Sequence, residues 1–223
     1  MDSSVIIVAG GKGLRMGSDI PKQFLSVGGK PILMHTIEAF YKADKTLRII
    51  LVLPADQQNY WKSLCVQYDF LIEHTIVNGG DTRFMSVRNA LELVPLDGVV
   101  AVHDGVRPFV ASEVIKRCFD EAQIHRAVVP VVDIVESVRQ ISQEGSIAIC
   151  RDQYKLVQTP QIFDSALLHE AYKQPFCANF TDDASVVENL GEKIFLTKGN
   201  RENIKITTSF DLLIANALLK CPM

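Results

Sequence analysis

The chain has 223 residues, 48% of them hydrophobic, and a formal net charge of −3. That length fits one large α/β unit with a substantial core, and the near-balanced charge excludes both a basic field for nucleic acid and an acidic tail. No apolar run approaches the roughly 20 residues of a membrane-spanning helix. The five cysteines, at positions 65, 118, 150, 177 and 221, are odd in number and form no Cys-x-x-Cys pair. They read as reduced thiols of a cytoplasmic protein rather than a zinc site or a disulfide framework. Asp2 stands where a signal peptide would carry Lys or Arg.

Strand-like and helix-like segments alternate along the chain. Val5–Val8 opens as a strand, and Ile32–Ala43 follows as a helix. Then come a strand at Leu47–Leu53, a helix at Asp56–Tyr68, a strand at Ile72–Val77 and a helix at Arg83–Val94. A strand at Gly98–His103, a helix at Ser112–His125 and a strand at Arg126–Val132 complete the regular part. Continuous β-branched runs signal strands buried on both faces, hence a mostly parallel, Rossmann-like α/β sheet covered by helices. Residues 133–157 break the pattern. Ile134–Ile141 and Ile147–Cys150, joined at Gln143-Glu-Gly-Ser146, form a projecting β-hairpin arm, which is marginal alone and suits a second subunit. Beyond it lie a helix at Ser165–Tyr172, a Thr181-Asp-Asp183 cap on a helix to Leu190, strands around Lys193–Leu196 and at Ile204–Ile206, and a final helix at Ser209–Leu219. No linker or repeat divides residues 1–223.

The densest chemical signal follows the first strand. Ala9-Gly10-Gly11-Lys12-Gly13 is succeeded by Arg15 and Lys22. Glycines let successive amides converge on phosphate oxygens, and the two cations add charge where a triphosphate would lie. The dinucleotide fingerprint Gly-x-Gly-x-x-Gly fails because Met16 fills its third place, and Gly-x-x-x-x-Gly-Lys-Ser/Thr is absent. What remains suits a site that holds phosphates while one phosphorus changes partners. Parallel sheets place ligands at the carboxyl ends of their strands, where Gly79-Gly80-Asp81 and His103-Asp104 also fall.

Ala9-Gly-Gly-x-Gly-x-Arg-Met-Gly17 with Pro21-Lys-Gln-Phe24 resembles the signature of polyol-phosphate cytidylyltransferases, nucleotidyltransferases with a nucleotide-diphospho-sugar transferase fold. The resemblance runs almost end to end, through Gly79-Gly-Asp-x-Arg83-x-x-Ser86, His103-Asp-Gly-x-Arg107-Pro, Gln158-Thr-Pro-Gln161, Thr181-Asp-Asp-Ala-Ser185 and Asn203-Ile-Lys-Ile-Thr207. It implies transfer of the cytidylyl group of CTP to a polyol phosphate, with Mg²⁺ or another divalent cation as cofactor. The 181–185 motif favours the branch acting on 2-C-methyl-D-erythritol 4-phosphate, in isoprenoid precursor synthesis, over the branch acting on ribitol 5-phosphate. Sugar-1-phosphate and molybdopterin nucleotidyltransferases, and a non-catalytic nucleotide-binding module, are more distant alternatives.

By the same resemblance Arg15 and Lys22 are catalytic, and Ala9, Gly10, Gly11, Gly13, Gly80, Asp81, Ser86 and Asp104 bind the nucleotide. Asp104, Arg107, Arg151, Thr159, Thr181 and Lys205 bind the polyol phosphate, with Asp104 also on the metal. Arg151 at the foot of the arm would reach a neighbouring subunit, implying a homodimer. Ile134 occupies a place where the family carries a Thr, so a hydroxyl contact is absent or comes from a neighbour such as Ser137. A phosphate monoester, with a second pKa of about 6, is already a nucleophile, which accounts for the absence of a Ser-His-Asp or Cys-His constellation.

Overall fold

The computed structural model describes residues 2–10 and 20–220. In chain order its elements are β1 (Ser3–Val8), a 3-10 turn (Lys22–Phe24), β2 (Ser26–Val27), β3 (Lys30–Pro31), α1 (Ile32–Ala43), β4 (Arg48–Leu53), α2 (Gln58–Gln67), β5 (Thr75–Asn78), α3 (Arg83–Leu91), β6 (Val99–Asp104) and α4 (Ser112–His125). There follow β7 (Ala127–Asp133), β8 (Val138–Ser142), β9 (Gly145–Ile149), β10 (Lys155–Val157), β11 (Gln161–Asp164), α5 (Ser165–Ala171), α6 (Asp183–Glu188), β12 (Phe195–Lys198) and α7 (Ser209–Leu218).

The main sheet runs β10-β7-β11-β6-β1-β4-β5, with β12 also paired to β7. Pairing is parallel for β1–β4, β1–β6, β4–β5 and β7–β12, and antiparallel wherever β10 or β11 takes part. The strands β1, β4, β6 and β7 are largely apolar because both of their faces are covered. Val5, Ile7, Ile49, Leu51, Leu53, Val99 and Ala101 point to one core with α1, α2 and α4. Ile6, Ile50, Val52, Val100, Val102, Val129 and Phe163 point to the other, with α3, α5 and α6. Period-two alternation thus divides one set of strands between two cores. A third, smaller core joins Val27, Ile32, Val106, Phe109, Ile206 and Ala215 under α7.

The order of the sheet locates its crevice. From β1 the chain proceeds outward through β4 to β5, then crosses back to β6 on the other side of β1. Such a reversal opens a cleft beyond the carboxyl ends of the two central strands. Gly10 leaves β1 at that point, and Asp104 ends β6 there.

Several elements differ from the sequence expectation. The third strand begins at Thr75 rather than Ile72, because the Trp61 indole N–H donates to His74 Nε2 at 2.9 Å and His74 Nδ1 turns back to the carbonyl of Ile72 at 2.7 Å. Residues 204–206 form no ladder; Ile206 N–H donates to Val106 O at 3.0 Å and ties the segment to the loop after β6. β10 and β11 were not anticipated as strands. They run as one antiparallel partner of β7 with an interruption, since Val157 faces Val131 and Ile162 faces Val128, so residues 158–161 stand opposite only 129 and 130. Pro130 is the cause: Gln158 N–H donates to its carbonyl at 2.9 Å, but the proline has no N–H to return. The arm is a two-stranded ribbon of β8 and β9, bonded to neither of the other sheets. Among the described residues no helix is long and apolar enough to cross a membrane.

Gly98 sets the start of β6. Its φ is +110°, and an added Cβ would lie 2.0 Å from the Asp2 carbonyl oxygen, which receives the Val99 N–H at 3.1 Å. Gly98→Ala is expected to destabilise the fold by roughly 2–3 kcal/mol, since backbone cannot yield as a side-chain tip does. Equilibrium urea unfolding should show a lower midpoint at unchanged slope.

Candidate active site

A cavity of about 260 Å³ fills the crevice, lined by residues that include Ala9, Gly10, Lys22, Gly80, Asp81, Arg83, Ser86, Asp104 and Lys205. Each wall has a local cause. Gln23 is fully buried, and its side-chain amide donates to Ala9 O at 2.8 Å and to Gln57 Oε1 at 2.6 Å. Phe24 packs edge-on against Tyr60 with ring centroids 5.2 Å apart. The 3-10 turn is therefore pinned beneath the end of β1, which brings Lys22 to the cavity. A larger cleft of about 820 Å³ lies beside β5. It mixes scattered charges, with Lys30 already paired to Glu38 at 2.6 Å, and lacks convergent polar groups.

The opposite wall is the loop before α3. Thr82 caps that helix, accepting from Met85 N–H at 3.1 Å. The Ser86 hydroxyl accepts from Gly80 N–H at 3.0 Å and donates to Thr82 O at 2.9 Å. A Cβ on Gly80 would sit 2.4 Å from the Met85 Cβ, so the turn closes only around glycine. Asp81 is exposed at its tip.

Asp104 forms the floor, 7% exposed. Its Oδ2 receives Arg107 Nε at 3.0 Å and Lys205 Nζ at 3.1 Å, while Arg83 Nε stands 3.9 Å from Oδ1. Burial would raise its pKa, but the charges of Arg83, Lys205 and Arg107 outweigh that and hold the carboxyl well below the usual range. Arg107 also donates through Nη1 to Asn203 O at 2.8 Å. Arg83 makes a bidentate pair with the fully buried Asp183, Nη1 to Oδ1 at 2.9 Å and Nη2 to Oδ2 at 2.6 Å, and Tyr172 donates to the same carboxylate at 2.6 Å.

Behind Asp104 lies a neutral network. His103 Nε2 faces the carbonyl of Arg107 at 3.0 Å, which can only accept, so Nε2 carries the proton and Nδ1 accepts from the Thr159 hydroxyl at 3.0 Å. Thr159 Oγ1 in turn accepts the Asp104 N–H at 3.1 Å. The bulge opposite Pro130 delivers Thr159 to this position, with its hydroxyl proton already committed.

The cavity thus unites Ala9, Gly10, Lys22, Gly80, Asp81, Ser86, Asp104 and Lys205, with Arg107 and Thr159 in direct contact with Asp104. Gly11, Gly13 and Arg15 lie outside the described residues. Arg151 is on a 3-10 turn at the foot of the arm, donating to Val135 O, and takes no part in this chain's cavity wall. Thr181 is exposed and is not the helix cap. Asp182 caps α6, in a capping box with Ser185. The sequence assigns no site role to Arg83, Tyr172 or Gln23, and to Asp183 only a place in a helix cap. Arg83 and Asp183 pair across 100 positions, which no local pattern could show.

Residues 3–221 match the family model of 2-C-methyl-D-erythritol 4-phosphate cytidylyltransferase (IspD). The chain belongs to this family. It is 62% identical over 219 residues to the 2-C-methyl-D-erythritol 4-phosphate cytidylyltransferase of Bacteroides thetaiotaomicron, covering 98% of this chain and 100% of that one. Among solved structures it resembles 4-diphosphocytidyl-2C-methyl-D-erythritol synthase from Anaerococcus prevotii, with TM-score 0.84 and 31% identity, covering 99% of this chain and 96% of that one. The Thermus thermophilus 2-C-methyl-D-erythritol 4-phosphate cytidylyltransferase gives 0.81 and 32%, over 99% and 100%. The family is one of CTP-dependent nucleotidyltransferases of isoprenoid biosynthesis, and the chain is such an enzyme.

Burial pushes the pKa of His103 down to about 4, so the folded ring is neutral where the unfolded one, at 6.5, is charged. Its contribution to stability is complete above pH 6.5 and is lost as pH falls toward 4. The loss is expected to be on the order of 3 kcal/mol. Urea unfolding across that interval should show a shallower pH dependence in His103→Gln. His35 and His74, also lowered by burial, retain the remainder. The loss due to Asp104 falls below pH 3.8, in a separate window.

Proposed function

We propose that this site joins CTP to 2-C-methyl-D-erythritol 4-phosphate, giving the CDP-linked alcohol and pyrophosphate, with its residues divided between two anions. One observation carries the division: the glycine end of β1, the Gly80 loop and the cation-ringed Asp104 converge on a single cavity.

Ala9 and Gly10, continued by Gly11 and Gly13, hold the triphosphate. Gly80, Asp81 and Ser86 receive the cytosine, with backbone groups reading its edge; the Ser86 hydroxyl, already bonded at both ends, shapes the loop. Arg107 and Lys205 receive the acceptor phosphate. Arg107 has Nη2 without a hydrogen bond among the described residues, and Lys205 is half-exposed, so both can turn toward a ligand. Thr159 supports this pocket by fixing Asp104. Thr181 meets the polyol from the exposed turn before α6, and Arg151 meets it from the neighbouring subunit.

The acceptor phosphate is dianionic at neutral pH and attacks the α-phosphorus of CTP in line. One P–O bond forms, the bond to the β-phosphate bridging oxygen breaks, and the electron pair leaves with pyrophosphate. No proton need move, and the neutral, fully buried His103 is no base. Lys22 and Arg15 stabilise the charge that gathers on the α-phosphoryl oxygens.

The donor set also fits Mg²⁺. Among the described residues no group of three or more His, Cys, Asp or Glu could enclose a metal, and Asp104 Oδ1 accepts no hydrogen bond. One carboxylate oxygen beside a polyphosphate suits an ion bound mainly by phosphates, with Asp104 as its protein ligand. When bound, such an ion neutralises phosphate charge and orients the triphosphate.

Pyrophosphate release should be seen with CTP and 2-C-methyl-D-erythritol 4-phosphate, and not with ribitol 5-phosphate or with UTP, GTP or TTP. Preference for ribitol 5-phosphate would overturn the acceptor assignment. Lys22→Ala should lower kcat by about 10³-fold with little change in the KM for CTP.

The chain acts as one cytoplasmic unit and pairs through residues 133–157. The arm exposes Ile141 and Ile147, with Leu156 and Val157 half-exposed at its foot, and a lone hairpin is marginal in water. Sedimentation should give a dimer for the natural chain and a monomer for Ile141→Asp with Ile147→Asp. Activity should fall with dissociation, because Arg151 then has no neighbouring site to complete.

A further inference from the structure

Among the described residues Arg83 stands farthest from Asp104 of the three cations paired with it. Its two terminal nitrogens are both taken by Asp183, at 2.9 and 2.6 Å, which leaves Nε facing Asp104 Oδ1 across 3.9 Å. The clamp is rigid. Asp183 is fully buried on the first turn of α6, and Tyr172 donates to it at 2.6 Å from beyond α5. The Tyr172 ring stacks on Phe84, the neighbour of Arg83, with centroids 4.6 Å apart. A second ring, Phe180, stacks on Phe84 at 5.7 Å. Breaking a buried pair of this kind leaves an uncompensated charge, and the nearest anion to which Arg83 could turn is Asp104.

We propose that Asp183 and Tyr172 are positioning residues that hold Arg83 back from Asp104, keeping Asp104 Oδ1 open to a divalent cation riding on the nucleotide phosphates. Oδ2 already faces Arg107 and Lys205, whereas Oδ1 accepts no hydrogen bond from a described residue, so Oδ1 is the oxygen left for a metal. Were Arg83 released, its guanidinium would close the gap of 3.9 Å and compete with the cation for that oxygen. Arg83 held at its present distance still contributes positive charge to the floor of the cavity without blocking it. This inference rests on the reading of Asp104 as a metal-binding residue of a CTP site.

Calorimetric titration of CTP into the enzyme at a series of Mg²⁺ concentrations tests it without turnover. Asp183→Asn should raise the Mg²⁺ concentration for half-maximal enhancement of CTP binding by about tenfold, the usual scale for loss of a partner outside the metal's own ligands. CTP affinity in the presence of a chelator should stay as in the natural chain. Tyr172→Phe keeps the stack on Phe84, loses only the donor, and should move the half-saturation in the same direction by a smaller factor. Asp183→Glu, which retains the charge, should return part of the shift. Melting temperatures that fall while the Mg²⁺ half-saturation stays put in both Asp183→Asn and Tyr172→Phe would overturn the proposal and leave a purely structural pair. If Asp183→Asn fails to fold, Tyr172→Phe decides alone. A natural chain that binds no CTP at any Mg²⁺ concentration would instead defeat the functional reading itself.

Discussion

The buried carboxylate of Asp104 is the charge on which the site is assembled. An ion removed from water costs several kcal/mol even after relaxation, and only close counter-charges offset it. The offsetting groups come from distant parts of the chain: Arg83 from α3, Arg107 from the loop after β6, and Lys205 from the segment before α7. Two are in turn secured by something else, Arg83 by Asp183 and Arg107 by the carbonyl of Asn203. Anion and cation alternate from Asp183 through Arg83 and Asp104 to Lys205. A network of that kind specifies one arrangement of three loops, because every misplaced loop would leave a charge unpaired.

Function follows from where the network is least enclosed. Asp183 is sealed, Asp104 is nearly so, and Lys205 is half-exposed. The sealed end sets geometry and the open end borders the cavity. Neutral groups back this gradient: His103, Thr159 and the Asp104 amide form a chain in which every proton has an assigned place. That arrangement leaves the carboxylate orientation insensitive to pH near neutrality.

Local features were legible in the sequence. Runs of β-branched residues marked β1, β4, β6 and β7, and the apolar spacing marked α1 and α4 to the residue. The glycine loop and the His103-Asp104 strand end located the crevice, because a parallel sheet of this order opens there. What escaped were features defined by pairs far apart. β11 is only four residues long and reads as a motif rather than a strand, and its direction is set by β6 and β7 on either side. Asp183 looked like a cap, since an acidic residue at a helix start usually is one, but Asp182 took that task and freed Asp183 to face inward. Gln23 sat unremarked in a motif because its amide partners, Ala9 and Gln57, lie on separate elements.

The arm enters and leaves the body through adjacent strands. Asp133 at the end of β7 lies opposite Lys155 at the start of β10, and their side chains pair there. An excursion whose two ends are already joined behaves as an insertion: the body can close behind it through that rung. Its tip can therefore change in length without disturbing the strands that flank Thr159 and the one that ends in Asp104. The arm can change while β7 and β6, with Asp104 at the end of β6, keep their places. Modularity of this sort lets a separate ribbon grow from the sheet without entering its hydrogen-bonded order.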